Sequence, residues 1–214
     1  MSYGTHRVLT SASVRAAAGQ ITVVVGRNGV GKSTLLRVAV GRLRPEYGRV
    51  RLADRDVTGW SLARLARGGL FFLPARELLD PTIVLGAQLR AAGKDGDAVA
   101  AELGIGDLLS IRPRLFSGGE LRRAEIAMAR RPRCLLADEP FRGISPLDAE
   151  VISAALRRLS AAGAAMVVTG HELTMLRSLA DRVFWCVAGM THEFPTAAAA
   201  WGDPQFSREF LGSR

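Results

Sequence analysis

The chain has 214 residues, of which 48% are hydrophobic and 23% charged, a composition typical of one globular domain rather than of a disordered chain. Its longest uncharged stretch, Leu159 to His171, is too short to span a bilayer, and no leader-like segment opens the chain. We therefore expect a cytoplasmic protein. The net charge is +9, but only Lys32 and Lys94 are lysines, so the excess of arginine indicates genome composition more than a nucleic-acid-binding patch. An anionic membrane surface nearby would suit such a charge better.

The first predicted elements lie around a short β-branched run. Residues 1–19 predict a weak hairpin, with strands at Arg7 to Thr10 and at Ala12 to Arg15. The run from Ile21 to Val25 predicts a strand buried on both faces. A helical pattern then begins after Thr34 and ends before Pro45.

The segment between that strand and that helix has the pattern G-x-x-x-x-G-K-[ST], from Gly26 to Thr34. Its glycines allow successive backbone N–H groups to turn inward toward phosphate oxygens, and the following helix adds a partial positive charge. Lys32 would reach the β- and γ-phosphates, and the hydroxyl of Ser33 would bind Mg²⁺. The pattern predicts a nucleoside triphosphate site.

The rest of the chain alternates short apolar runs with helical patterns, as in a parallel α/β sheet. Residues 77–110 predict a compact helical insertion. The two cysteines, Cys134 and Cys186, are expected to be buried thiols rather than a disulfide or metal pair. The other predicted elements are a strand at 48–52, a helix capped by Ser61, a strand at 70–73, a helix opened by Ser117, strands at 134–137 and 166–169 around a helix at 151–159, and a hairpin at 184–187 and 191–194.

Three later stretches carry polar groups at the ends of predicted elements. Asp138 and Glu139 follow a buried strand, where a carboxylate can anchor Mg²⁺ and the next can polarise water. Ser117 to Glu120 opens a helix and forms a second anion-ready N-terminus. His171 comes just after a strand and could hydrogen-bond a γ-phosphate. Each stretch alone has a structural explanation, as a strand end, a helix cap or a surface histidine; their order after the phosphate loop favours the functional one.

With these motifs the sequence resembles the ATP-binding cassette (ABC) ATPases over nearly its whole length. Gly26 to Thr34 is similar to the Walker A motif, FSGGE from Phe116 to Glu120 to the signature motif, and Leu135 to Glu139 to Walker B with its catalytic glutamate. His171 lies at the switch histidine. Tyr3 fits the aromatic residue that stacks on adenine, although a solvent-facing tyrosine is the alternative.

The resemblance implies one ABC ATPase domain over residues 1–214: a RecA-like α/β core of the P-loop NTPase type, an antiparallel β subdomain, and a compact helical subdomain near 77–130. It implies Glu139 and His171 as catalytic residues, and Ser33 and Asp138 at Mg²⁺. It also implies a head-to-tail homodimer or heterodimer, in which the signature motif of one subunit completes the ATP site of the other. The implied nucleotide-binding residues are Tyr3, Arg27, Asn28, Gly29, Val30, Gly31, Lys32, Ser33, Thr34, Ser117, Gly118, Gly119 and Glu120.

The resemblance therefore implies an ATP-hydrolysing subunit of an ABC transporter, which lies at the inner face of the cell membrane, binds transmembrane permease subunits and has no direct nucleic-acid partner. The stretch DEPFRGISP, residues 138–146, resembles ATPases of lipopolysaccharide export and branched-chain amino-acid import, without determining the substrate. Two departures bear on coupling: the family's Q-loop glutamine is Ala75 here, and its D-loop aspartate is Ser145. The family's usual first strand is also missing or very short.

Two alternatives remain open at this level. One is a non-transport, regulatory ABC ATPase, although the long coiled-coil insertion or second cassette usual in that class is not found here. The other is a binding-only subunit with weakened coupling. Ala75 favours this second alternative, and the intact Lys32, Asp138, Glu139 and His171 oppose it.

Overall fold

The structure, a computed structural model, describes residues 2–3, 6–76, 78–93 and 95–211, with side chains described for all of these except residues 2, 3, 6, 7, 210 and 211. The strands are β1 (Ser2–Tyr3), β2 (His6–Arg7), β3 (Ile21–Val25), β4 (Arg51–Leu52), β5 (Arg55–Asp56), β6 (Leu70–Leu73), β7 (Cys134–Asp138), β8 (Ala165–Gly170), β9 (Arg182–Val187) and β10 (Met190–Glu193).

The α-helices are α1 (Lys32–Ala39), α2 (Leu62–Arg67), α3 (Leu85–Ala92), α4 (Gly96–Glu102), α5 (Gly118–Ala127), α6 (Pro146–Ala161), α7 (Leu173–Leu179), α8 (Ala197–Gly202) and α9 (Pro204–Phe206). Two 3₁₀ turns, Gly106–Leu108 and Pro113–Leu115, lie between α4 and α5, and a π turn, Ser207–Leu211, follows α9. Among the described helices, none is both long enough and apolar enough to cross a membrane.

A six-stranded sheet of order β10-β9-β3-β8-β7-β6 organises the molecule. All its neighbouring strands are parallel except β9 and β10, which form an antiparallel hairpin. Two further sheets, β1-β2 and β4-β5, have two strands each. This is the α/β fold, with a parallel-dominated P-loop core and small antiparallel additions, that the motifs predict.

The sheet is covered on both faces, which explains why four of the five residues of β3 are apolar and why all five are buried; the exception, Thr22, donates its hydroxyl to the carbonyl oxygen of Arg15 at 3.0 Å. Val23 and Val25 belong to one hydrophobic cluster, which includes the helices between β6 and β7, whereas Val24 belongs to a second cluster with α1 and α2. Both clusters contain side chains that are fully buried. Alternate residues of one strand thus serve opposite cores, as expected for a doubly covered parallel sheet.

The predictions for the first fifty residues are the ones that the structure corrects. Of the strand predicted at Arg7 to Thr10, only Arg7 lies in a strand, β2, and residues 12–15 form no strand. Beside them the structure has only the isolated bridge from Ser11 to Met190, at the edge of the sheet. The strand predicted at 48–52 is shortened to Arg51–Leu52, since only the hairpin with β5 pairs it. The predicted helices at Ser61 and Ser117 begin where expected, each capped by its serine side chain.

Candidate active site

The candidate site lies at the carboxyl ends of three adjacent parallel strands. In the order β3-β8-β7, the phosphate loop follows β3, Asp138 ends β7, and His171 comes directly after β8. Residues that are far apart in sequence therefore reach one edge of the sheet. This edge is where open α/β sheets bind ligands.

The phosphate loop folds around its own lysine. Lys32 is 4% exposed, and its Nζ donates to the carbonyl oxygens of Gly26, at 2.7 Å, and Arg27, at 3.1 Å. Burial lowers the pKa of Lys32, while the carboxylates of Glu139 and Asp138 act in the opposite direction. The loop thus holds an ammonium group at its centre, in reach of an anion.

Glycine at position 31 is required by the geometry of the loop. Gly31 has φ 114°, in the region that favours glycine, and a Cβ there would lie 2.8 Å from Cδ2 of Leu9. Gly31 caps α1 without any side-chain hydrogen bond, in contrast to the serine caps of α2, α5 and α6. The first N–H groups of α1 are therefore available to an anion. Of the other predicted loop residues, Arg27, Asn28 and Gly29 are exposed, Val30 is half-buried, and Thr34 is buried.

Asp138 is buried and is held by two hydroxyl groups. Its Oδ1 accepts from Ser33 Oγ at 3.0 Å and from Thr169 Oγ1 at 2.7 Å, and the residue is 4% exposed. A hydroxyl beside a carboxylate offers the oxygen donors that Mg²⁺ prefers. In the described part of the chain no three His, Cys, Asp or Glu side chains form a metal-binding group, so a cation here would take its remaining ligands from water or phosphate. The residues present fit that arrangement.

Glu139 is positioned by its backbone as well as by its side chain. Its φ is 48°, a left-handed conformation that costs about 1–3 kcal/mol in a non-glycine residue. Its N–H donates to the carbonyl oxygen of Thr169, at 3.1 Å, and to Thr169 Oγ1, at 3.2 Å, which holds that conformation. The same threonine therefore orients both acidic residues.

The carboxylate of Glu139 lies between an arginine and the predicted histidine. Its side chain is 13% exposed, with Oε2 3.3 Å from Arg142 NH1 and Oε1 3.8 Å from His171 Nδ1. His171 is 40% exposed at its side chain, and its Nε2 lies 3.4 Å from Glu172 Oε1. The structure therefore brings Glu139 and His171 together, with His171 at the solvent side.

A buried arginine on α5 connects this edge to the segment after β6. Arg122 NH1 donates to Glu125 Oε2 at 2.7 Å and to the carbonyl of Pro74 at 2.8 Å. Its NH2 donates to the carbonyls of Asp138 and Glu139, at 3.2 and 3.0 Å. The residue is 6% exposed. The backbone on either side of the two candidate acids is thus held by one guanidinium.

The predicted signature segment lies at the surface, away from the phosphate loop. Ser117 and Gly118 are exposed, and Ser117 forms a capping box with Glu120: its Oγ accepts from Glu120 N at 3.3 Å, and its N–H donates to Glu120 Oε2 at 2.8 Å. That N–H lowers the pKa of the Glu120 carboxyl. Gly119 packs against Asp148 at the start of α6, where no Cβ would fit. Among the described residues, no hydrogen bond joins this segment to the phosphate loop.

The sequence also singled out three further positions, Tyr3, Ala75 and Ser145. The side chain of Tyr3 lies outside the described part of the structure, so its predicted stacking on adenine stays a prediction. Ala75 is half-buried and directly follows Pro74, whose carbonyl oxygen accepts from Arg122. Ser145 caps α6 and donates to Asp148 Oδ2 at 2.6 Å.

Sequence reasoning did not identify Thr169, Arg122 or Arg142 as part of this site. A threonine at the end of an otherwise apolar strand was a signal for Thr169, because a buried hydroxyl requires a partner. Arg122 and Arg142 lie within an arginine-rich composition, so residue type alone did not distinguish them from exposed arginines.

A family model described as ABC transporter matches residues 9–142. The chain is 30% identical over 232 residues to the lipopolysaccharide export system ATP-binding protein LptB of Acidithiobacillus ferridurans, covering 100% of this chain and 94% of the relative. It is 34% identical over 220 residues to the cobalt import ATP-binding protein CbiO of Rhodobacter capsulatus, covering 94% of this chain and 77% of the relative.

Solved structures are similar over the whole chain. A nucleotide-free ATP-binding cassette from an ABC transporter superimposes with a TM-score of 0.89 at 21% identity, covering 100% of this chain and 96% of the other. The ADP conformation of another ATP-binding cassette of an ABC transporter gives a TM-score of 0.87 at 23% identity, with the same coverage. At these identities the likeness shows the fold.

Proposed function

The chain belongs to the ABC transporter family and is an ABC-type ATPase, and we propose that it powers a membrane transporter as one half of a head-to-tail pair of identical cassettes. One observation carries the proposal. The edge with Lys32, Asp138 and Glu139 is assembled within the chain, whereas the Ser117 helix start is exposed and makes no hydrogen bond to that edge among the described residues. A second copy, turned head to tail, would place its Ser117 helix there.

Binding of ATP would use the phosphate loop as the structure holds it. The N–H groups at the start of α1 would bind phosphate oxygens, and Lys32 would exchange its contacts to Gly26 and Arg27 for the β- and γ-phosphates. Ser33 and Asp138 would hold Mg²⁺, which when bound neutralises charge on the phosphate oxygens. Tyr3 would contact the adenine.

Hydrolysis would use the two residues beyond β7 and β8. Glu139 would orient a water and accept its proton as the water oxygen attacks the γ-phosphorus and the bond to the β-phosphate oxygen breaks. Arg142 holds one carboxylate oxygen at 3.3 Å and so directs the other toward His171. His171 would donate a hydrogen bond to the γ-phosphate. Most of the barrier lowering would come from such fixed positioning of charge.

The departure at Ala75 changes how the site would be linked to a permease. An alanine methyl group can bind neither Mg²⁺ nor water. The side chain at position 75 therefore provides no direct link between the ATP site and a permease. The backbone link remains, because Arg122 bonds both the carbonyl of Pro74 and the carbonyls of Asp138 and Glu139. We propose that movement of the segment after β6 reaches the acids through Arg122. The relatives named as export and import ATP-binding proteins support a transmembrane partner here.

The proposal is tested by measuring ATP turnover per subunit over a range of protein concentrations. A composite site requires two subunits, so the specific activity should rise with concentration until dimers saturate. A specific activity that is independent of concentration, measured down to nanomolar subunit, would show that one chain suffices and contradict the head-to-tail pair. Lys32→Ala provides the background rate.

A further inference from the structure

A large groove is lined in part by the later residues of α1 and by none of the phosphate-loop residues 26–34. Its volume is about 1050 Å³, and it lies between residues 9–18 on one side and residues 45–55 on the other. Its floor includes the buried side chains of Leu36, Leu70, Leu136 and Val167, which belong to the second hydrophobic cluster. The groove is therefore apolar at its base and takes no part in the ATPase mechanism above.

One wall of the groove includes residues 12–14, some of whose backbone groups have no hydrogen-bond partner in the described part of the chain. Ser11 and Ser13 are bonded to the β10 side: Ser11 N–H donates to Gly189 O at 3.3 Å, and Ser13 N–H donates to Thr191 Oγ1 at 2.8 Å. In an extended chain, alternate residues direct their N–H and C=O groups to opposite sides. Ser11 and Ser13 alternate in this way, and the N–H and C=O groups of Ala12 and Val14 have no hydrogen-bond partner among the described residues. Both residues line the groove.

The opposite wall has the same property. In the β4–β5 hairpin, Val50 is bonded inward, since its carbonyl accepts from Val57 N–H at 2.9 Å and its N–H donates to Thr58 Oγ1 at 2.8 Å. By the same alternation, the N–H and C=O groups of Arg49 and Arg51 point away from the hairpin partner. The groove thus lies between two segments, each with backbone groups that no described residue bonds and that could pair with an added strand.

The charged residues that line the groove are all arginines, and the acidic residues of the 45–55 segment, Glu46 and Asp54, are not part of the lining. Its lining includes six arginines and no aspartate or glutamate: Arg15, Arg49, Arg51, Arg55, Arg131 and Arg133. Of these, only Arg15 forms an ion pair with a carboxylate in the described part of the chain, with Glu193 at 2.9 Å. Arg55 instead lies 5.7 Å from the Trp60 ring. An occupant that carries carboxylates would be attracted to this rim.

We propose that the groove binds an extended segment of a partner protein in which apolar and acidic side chains alternate. The segment would add a strand between residues 12–14 and residues 49–51, place its apolar side chains on the Leu36 and Leu136 floor, and direct its acidic side chains to the arginine rim. A long-chain fatty acid would also satisfy the floor and the rim. It would, however, leave the backbone groups of Ala12, Val14 and Arg51 covered without partners, which is unfavourable. The free backbone edges favour the strand.

The test uses the whole chain and a blocked heptapeptide, acetyl-EVEVEVE-amide, in isothermal titration calorimetry. We expect saturable one-to-one binding, together with slower amide hydrogen exchange at Val14 and Arg51. Acetyl-KVKVKVK-amide should not bind. The same acidic peptide with N-methyl groups on alternate residues should lose binding, because it cannot complete the ladder on one side. Binding is measured without nucleotide, so its outcome is independent of the ATPase proposal.

Matched charge variants locate the site. Arg49→Glu/Arg131→Glu should weaken peptide binding at least about tenfold, while Arg177→Glu/Arg208→Glu, with the same change in net charge on exposed positions outside the groove, should leave it unchanged. Equal loss in both pairs would show nonspecific charge attraction and overturn the proposal. Absence of peptide binding, or binding of sodium palmitate in place of the peptide, would overturn it as well.

Discussion

The carboxyl ends of β3, β7 and β8 differ from the start of α5 in what their polar atoms contact. At the strand ends, Lys32 and Asp138 are each 4% exposed and are bonded to groups of the same chain. At the start of α5, Ser117 and Gly118 are exposed, and among the described residues the Ser117 hydroxyl and N–H bond only Glu120, in the capping box. The first region is organised in one chain before a ligand arrives. The second offers its helix start outward.

This difference indicates different roles for the two regions in the proposed ATP site. A preorganised edge can bind a nucleotide alone, because its charges and hydroxyls need little rearrangement. An exposed helix N-terminus gains most when an anion is brought to it. α5 belongs to both regions, since its first turn holds Ser117 and its second turn holds Arg122. The predictions below test this division of roles, from the largest expected effect to the smallest.

Replacement of the proposed base should have the largest effect. Glu139→Gln keeps the size of the side chain but cannot accept a proton, so ATP turnover should fall by about 10²–10⁴-fold. Binding of ATP, measured by fluorescence of a labelled analogue, should be retained, since the phosphate loop is unchanged. The matched control is Glu172→Gln. Glu172 is also an acid beside His171, with Oε1 3.4 Å from its Nε2, and this variant should keep most of the turnover. Equal losses in the two variants would remove Glu139 from its role.

Loss of the buried guanidinium of Arg122 should lower the stability of the fold, in contrast to changes at the exposed start of α5. Arg122→Met leaves the Glu125 carboxylate, whose side chain is 4% exposed, without its ion partner and should lower the free energy of unfolding by about 3–5 kcal/mol. Arg158→Met removes an exposed pair with Glu102 and should cost about 0–1 kcal/mol. Urea unfolding measures both. A loss for Arg122→Met no greater than that for Arg158→Met would mean that Arg122 does not hold the acidic edge.

A change at the exposed helix start should affect turnover without affecting the fold. Aspartate caps helices as well as serine does, so Ser117→Asp should leave the melting temperature unchanged. It would also place a negative charge against the γ-phosphate of the opposing site, and a like-charge contact of several kcal/mol should lower turnover at least about 10²-fold. Ser61→Asp, at the cap of α2, is the control for the same substitution away from the site. Full turnover by Ser117→Asp would show that this helix start is not used.

The smallest expected effect concerns the lysine at the centre of the loop. Burial lowers the pKa of Lys32, so between that pKa and the ordinary value the unfolded chain binds more protons than the folded chain. The free energy of unfolding of the nucleotide-free protein should therefore rise with pH through this window. Lys32→Met should lack this contribution, and the difference between the two curves isolates it from other groups. A difference that is constant with pH would mean that Lys32 titrates normally.

The strands, the loop and the caps could be read from the sequence because local chemistry determines them. The run at 21–25 is β-branched throughout and apolar except for Thr22, and the serines at 61 and 117 cap helices through contacts only three residues away. Such signals are contained in short windows.

What the sequence did not reveal depends on contacts between distant residues. Thr169 meets Asp138 across neighbouring strands, and Arg122 reaches Pro74 over 48 residues of chain. The strand predicted at 12–15 has suitable alternation but lacks a second neighbour in the described structure, so no ladder forms. Alternation predicts an extended segment; it does not supply the partner strand.

The central claim is that the ATP site is closed by the Ser117 helix of a second copy. The most direct test is the molecular mass of the protein in solution, measured by analytical ultracentrifugation. The chain has a mass of 22.9 kDa, and Glu139→Gln with ATP and Mg²⁺ should sediment at about twice this value, returning to the monomer value when ATP is removed. Ser117→Asp/Glu139→Gln should bind ATP through its intact phosphate loop and remain at 22.9 kDa. If Glu139→Gln stays monomeric with ATP bound, or if the double variant dimerises equally well, the account is contradicted.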